Sequence, residues 1–246
     1  MQPQPLVIEY RFRLQDNSEE LFTVRLDPQT LETLPDPAAA EPLPDWTALS
    51  FAQCASCPLT ASSSPRCPAA ANLAPIVRRG ERLISIDLVD LQVTTAERIT
   101  RQKTTAQRAL CSLMGLLIAG SGCPHTAFLK PMARFHLPLA SEEETIFRAT
   151  ATYMLAQYFV KNEGGQADFN LEKLTNLYRT MQEVNLAMAK RVRSASKTDS
   201  SVNAIVLLDM YAKALPYVIK QSLEELRYLF DPFLKTVGSS ENRPSS

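Results

Sequence analysis

Leu6-Val7-Ile8-Glu9-Tyr10-Arg11-Phe12-Arg13-Leu14 places an apolar residue at every second position. Side chains along a strand point alternately to opposite faces, so Leu6, Ile8, Tyr10, Phe12 and Leu14 line one face. Val7, Glu9, Arg11 and Arg13 line the other, and a half-buried strand is predicted. The polar run Gln15-Asp16-Asn17-Ser18 turns the chain, and Phe22, Val24 and Leu26 form a second alternating strand, giving a hairpin. A third strand is expected through Ile84, Ile86 and Leu88. There the alternation slips by one residue to Val89, Leu91 and Val93, which predicts a bulge or bend near Leu88.

Beyond this sheet the periodicity becomes helical. Leu110, Leu113, Met114, Leu117 and Ile118 form one stripe, ended by Gly120-Ser121-Gly122. Ser141-Glu142-Glu143-Glu144 reads as a capping box that opens a helix carrying Ile146, Phe147, Tyr153, Met154 and Tyr158. After Gly164-Gly165 a further helix carries Leu174, Leu177, Tyr178, Met181, Val184, Met188 and Val192. A last helical stretch runs from Val202 to Leu234 with a break expected at Pro216, and a disordered tail is expected from Gly238. The fold class is therefore α+β: a small antiparallel sheet packed with a helical bundle. The division is 1–103 for the β-rich part, 104–236 for the bundle and 237–246 for the tail, with the two parts forming one cooperative unit.

The chain has 246 residues, 45% of them apolar, enough for a substantial core. Its 26 basic residues balance 26 acidic ones, which argues against a nucleic-acid partner. The N-terminus lacks the pattern of a secretory signal. The most apolar run, Ala109 to Ala119, is far shorter than the roughly 20 residues of a membrane span. A soluble, cytoplasmic protein with no membrane partner is expected.

Between the hairpin and the third strand, the proline-rich stretch from Leu34 to Pro75 cannot hold continuous regular structure. Three of the five cysteines fall there: Cys54, Cys57 and Cys67. Cys54-Ala-Ser-Cys57 is a spacing that lets two thiols reach one centre. Cys123 follows the Gly120-Ser121-Gly122 breaker. Proline succeeds Cys57, Cys67 and Cys123, and proline favours the first turn of a helix, making the preceding cysteine an N-cap whose thiolate the helix dipole would favour. In a reducing compartment such cysteines point to metal ligation sooner than to disulfides. Cys54, Cys57, Cys67 and Cys123 are thus the expected ligands of an iron–sulfur cluster, slightly preferred, or of Zn2+. Packing as small apolar residues is the plain alternative, and it suits Cys111 in the middle of a helix.

His125 could replace one thiol as a ligand or support the centre from behind, and His136 is a second supporting candidate. A Cys123–His125 nucleophilic pair has poor geometry. A dithiol redox enzyme at Cys54 and Cys57 is a stronger rival, although it lacks the usual strand-to-helix setting. A metal-free helical module that binds an unidentified protein is the third reading. Asn185 and Asp209 interrupt apolar stripes and are expected to pair with each other or with Arg148. Lys190, Arg191, Arg193 and Lys197 are read as cations suited to a helix C-terminus.

The segments Cys54-Ala-Ser-Cys57-Pro58-Leu59, Cys67-Pro68-Ala69-Ala70, Ser121-Gly122-Cys123-Pro124 and Pro131-Met-Ala-Arg-Phe-His136-Leu-Pro138 resemble an uncharacterised bacterial family, the domain of unknown function 6901 family. The resemblance spans Tyr10 to about Leu229. It implies one domain joining the sheet and helical parts, and it implies no activity and no particular metal.

Overall fold

The computed structural model describes residues 4–35, 42–196 and 198–240; the side chains at 81, 214–222 and 237–240 lie outside that description. β1 (Leu6–Arg13) and β2 (Glu19–Leu26) form the expected hairpin, in register from Leu6 opposite Leu26 to Arg13 opposite Glu19. Its turn is fixed by Asp16, whose carboxylate accepts the Ser18 N–H and hydroxyl, with Asn17 in the left-handed region at φ 64°. Two more strands complete an antiparallel sheet in the order β2-β1-β3-β4: β3 (Leu88–Thr94) beside β1, and β4 (Ile99–Thr105) on the outer edge.

Two expectations change here. β3 begins at Leu88, because residues 84–87 form a turn closed by Asp87 N–H to the Ile84 carbonyl. The alternating Ile84 and Ile86 are consequently solvent-facing, at 55% and 77% exposure, and no bulged strand precedes Val89. β4, Ile-Thr-Arg-Gln-Lys-Thr-Thr, carries the sheet to Thr105, just past the expected boundary; as a mostly exposed edge strand with little apolar alternation it left no strong signal.

The inner face of the sheet packs on α2 (Ala106–Ala119), which buries ten of its fourteen residues. α1 (Pro68–Arg79) lies beside it, and Pro75 sits inside α1 without ending it. After Gly120 a 3-10 turn over Pro124–Leu129 leads into the short α3 (Lys130–Arg134). α4 (Glu142–Asn162) opens on the capping box, with Ser141 Oγ accepting the Glu144 N–H and the Glu144 carboxylate accepting the Ser141 N–H. α5 (Glu172–Ala195) and α6 (Ser200–Leu226) pair along much of their length, and α6 packs across α2.

α6 runs through Pro216 without a break. The interruption comes at a 3-10 turn over Arg227–Leu229, after which α7 (Asp231–Ser240) includes Gly238. The remainder of the expected tail, 241–246, lies outside the described residues. One apolar cluster joins the sheet, α1, α2, α5 and α6, and a smaller one gathers Ile146, Tyr153, Leu174, Tyr178 and Leu226. Among the described residues no single helix is long and apolar enough to cross a membrane.

Candidate metal centre

The Cys67 site begins with how the proline-rich stretch is held. A 3-10 turn at Asp45–Thr47 is followed by a bridge between Ala48 and Arg66. The Leu49 N–H donates to the Pro65 carbonyl and the Cys67 N–H to the Thr47 carbonyl at 2.8 Å. Arg66 ties the base of this loop by donating to the Pro44 carbonyl and to Thr47 Oγ1. Backbone pairing therefore folds the segment back on itself and delivers Cys67 to the N-cap of α1, as the Cys-Pro pattern predicts.

Cys54 and Cys57 lie on a tight turn closed by the Cys57 N–H to the Cys54 carbonyl. Ser56, inside that turn, donates to the Glu183 carboxylate from α5 and accepts from or donates to His125. Cys123 caps the 3-10 turn that follows α2. Ser121 Oγ accepts the Cys123 N–H, and the Thr126 hydroxyl donates to the Cys123 carbonyl. Gly120, just before, packs closely on the end of β2: a Cβ there would meet Thr33 Oγ1 at 2.9 Å and Leu26 Cδ2 at 3.0 Å.

These segments meet. Cys54, Cys57, Cys67 and Cys123 all line one small cavity of about 10 Å³, together with His125, Val184, Met188 and Arg191. All five cysteines are free of disulfides, and Cys67 and Cys123 are buried at 8% exposure each. Among the described residues no group of three or more His, Cys, Asp or Glu side chains is drawn into ready ligation geometry. The thiols share a chamber without closing on a common point.

Electrostatics here depart from the cap expectation. Burial, reinforced by the other three cysteines, pushes the Cys54 thiol up to about 11. Burial likewise raises Cys123, although the His125 and Thr126 N–H groups pull it down without making formal cap bonds.

Arg191 is the residue that sequence reasoning misplaced. Lys190 and Arg193 are exposed as helix-end cations should be, and Lys197 lies outside the described residues. Arg191, by contrast, is 1% exposed and reaches back from α5 into the loop. Its Nη1 donates to the Trp46 and Ala48 carbonyls at 2.7 Å each, and its Nη2 to the Leu49 carbonyl at 3.0 Å. Nε has no partner, and no carboxylate pairs with the guanidinium among the described residues. Its position in the α5 stripe, one residue before Val192, was the available signal.

His125 lines the thiol chamber, but its Nε2 contacts the Ser56 carbonyl at 3.0 Å, a supporting position that steadies the Cys54–Cys57 turn. His136 is placed elsewhere. Its Nε2 bonds the buried Tyr10 hydroxyl, which also bonds Ser112 Oγ at 2.8 Å. Asn185 and Asp209 do not pair as expected: Asp209 bonds Lys213, one turn along α6, and Asn185 makes no side-chain hydrogen bond among the described residues.

Burial and the Arg148 charge lower His136 from 6.5 to about 3. The unfolded chain therefore takes up this proton as pH falls through 6.5, while the folded state resists until about 3. Stability falls as pH falls across that window, by at most about 1.4 kcal/mol per pH unit for one proton. Thermal midpoints measured across it should show this slope, and His136→Asn should flatten it.

The family model described as Domain of unknown function (DUF6901) matches residues 8–231. No curated protein and no solved structure matches the chain.

Proposed function

The chain belongs to the DUF6901 family, whose description carries no activity, and from that premise we propose that it is a metal-centre protein in which Cys54, Cys57, Cys67 and Cys123 hold one iron–sulfur cluster or one zinc ion. The observation that carries this reading is charge. Arg191 is a buried cation whose acceptors are backbone carbonyls alone, and an uncompensated buried charge is costly. Four thiolates outweigh the positive charge of a divalent ion or of an iron–sulfur core, so an anionic centre beside Arg191 would supply the counter-charge that no carboxylate provides among the described residues.

The donor set fits such a centre: soft sulfur ligands from three separate segments, with His125 and the N–H groups of His125 and Thr126 as supporting donors. The centre would clamp the loop of residues 42–67 onto α2 and α5, giving it a structural role and, where the centre is a cluster, a sensing or redox one. A reducing, cytoplasmic setting suits five unpaired thiols. Anaerobic purification followed by metal and sulfide analysis and a visible spectrum tests the reading. About one centre per chain is expected, coloured if iron–sulfur and colourless if zinc. A folded protein free of both metals contradicts it.

A further inference from the structure

On the other side of α2 from the sheet lies a cavity of about 210 Å³, walled by α2, α3, α4, α5 and α6. Its lining is mainly apolar, with Leu116, Met181 and Leu208 among the walls. An apolar cavity of about 150 Å³ is large enough to hold benzene, so this one accommodates an aromatic ring with a short substituent.

The charged groups among its described lining residues are of one sign. Among the described residues no Asp or Glu lines the cavity, whereas Arg108 and Arg148 both do. Arg148 donates through Nη2 to the Met132 and Phe135 carbonyls and forms no ion pair among the described residues. Burial lowers its pKa, and the charge of Glu144, one turn earlier on α4, offsets part of that without forming an ion pair. Tyr178 lies within reach of the Arg148 charge, at 5% exposure, and Asn185 stands at 3%; neither side chain has a hydrogen-bond partner among the described residues. Both side chains line the cavity, so a ligand's polar atoms can pair there with groups that the protein leaves without a partner. His136 is held neutral there and adds no charge.

The geometry points to a binding site for a small apolar carboxylate, with the ring or short alkyl body against Leu116, Met181 and Leu208 and the carboxylate met by Arg148, Tyr178 and Asn185. Guanidinium and carboxylate match in shape and charge, and the surrounding apolar wall strengthens the pairing. This site does not depend on the thiol centre.

Calorimetric titration of the full chain with 3-phenylpropionate, and separately with the matched uncharged 3-phenylpropan-1-ol, tests it. Saturable one-to-one binding is expected, with the acid bound at least about tenfold more tightly than the alcohol, a difference of about 1.4 kcal/mol. Arg148→Gln should bring the acid down to the affinity of the alcohol while leaving the alcohol unchanged. Should that variant fail to fold, the ratio of the two ligands on the unaltered chain still decides. Equal affinity for acid and alcohol, or no saturable binding of either, overturns the assignment.

Discussion

Cys67→Ala is expected to lose the metal and to release the loop of residues 42–67. Structural four-ligand zinc centres bind with roughly 10–16 kcal/mol, and replacing a merely supporting residue already costs about 10–100-fold in affinity. Removing a ligand therefore costs more than that, and Cys123→Ala should do the same from the other side of the chamber. Cys111→Ala is the control that separates ligation from packing. Cys111 is as buried as Cys67 but stands on α2 outside the thiol chamber. Its truncation should lose about 1 kcal/mol of packing and keep the full metal content. Metal content per chain and the denaturation midpoint of the three variants give the comparison. Equal behaviour of Cys67→Ala and Cys111→Ala would mean that the four thiols are simply packed.

Arg191→Met should be among the most destabilising single changes in the chain. The guanidinium serves the Trp46, Ala48 and Leu49 carbonyls together, and methionine fills similar space while leaving all three without that donor. Leaving a buried acceptor unsatisfied costs about 1–3 kcal/mol, and three carbonyls lose their donor here. The proposed centre would lose its compensating cation as well, so metal should be stripped by chelator at a lower concentration. Arg191→Lys retains the charge but not the planar fork that reaches three carbonyls, so it should recover metal retention better than stability. Urea titration with and without chelator separates the two effects. An Arg191→Met variant as stable and as metal-retentive as the parent would remove the charge argument.

Much of the fold was legible because its periodicities are strong. Residues 8–14 alternate without exception, and β1 buries Ile8, Tyr10 and Phe12 as that pattern requires. The Ser141 capping box and the Gly120 stop are local chemistry and appear where expected. The failures share a cause: local pattern was overridden by tertiary surroundings. Ile84 and Ile86 alternate like a strand but lie on a turn, and β4 is an edge strand of polar residues. Pro216 interrupts nothing visible in the course of α6.

The candidate site was legible in part. Residue type and the Cys-Pro repetition single out the four thiols, and the fold brings Cys123 back to the early loop although all of α1, β3, β4 and α2 lie between it and Cys67. Arg191 was only faintly legible, through its place beside Val192 in the α5 stripe. In sequence it is one cation among four, and only the packing of α5 against the loop shows that it points inward. The second cavity was equally hidden, since Arg148, Tyr178 and Asn185 come from two helices whose facing is a property of the bundle.

X-ray absorption at the metal edge of anaerobically prepared protein addresses the shared thiol centre most directly. Four sulfur neighbours at about 2.3 Å are predicted for each metal ion, cysteine thiolates alone for zinc or thiolate plus bridging sulfide for a cluster. A first shell dominated by oxygen or nitrogen, or one that is unchanged in Cys123→Ala, would contradict the account.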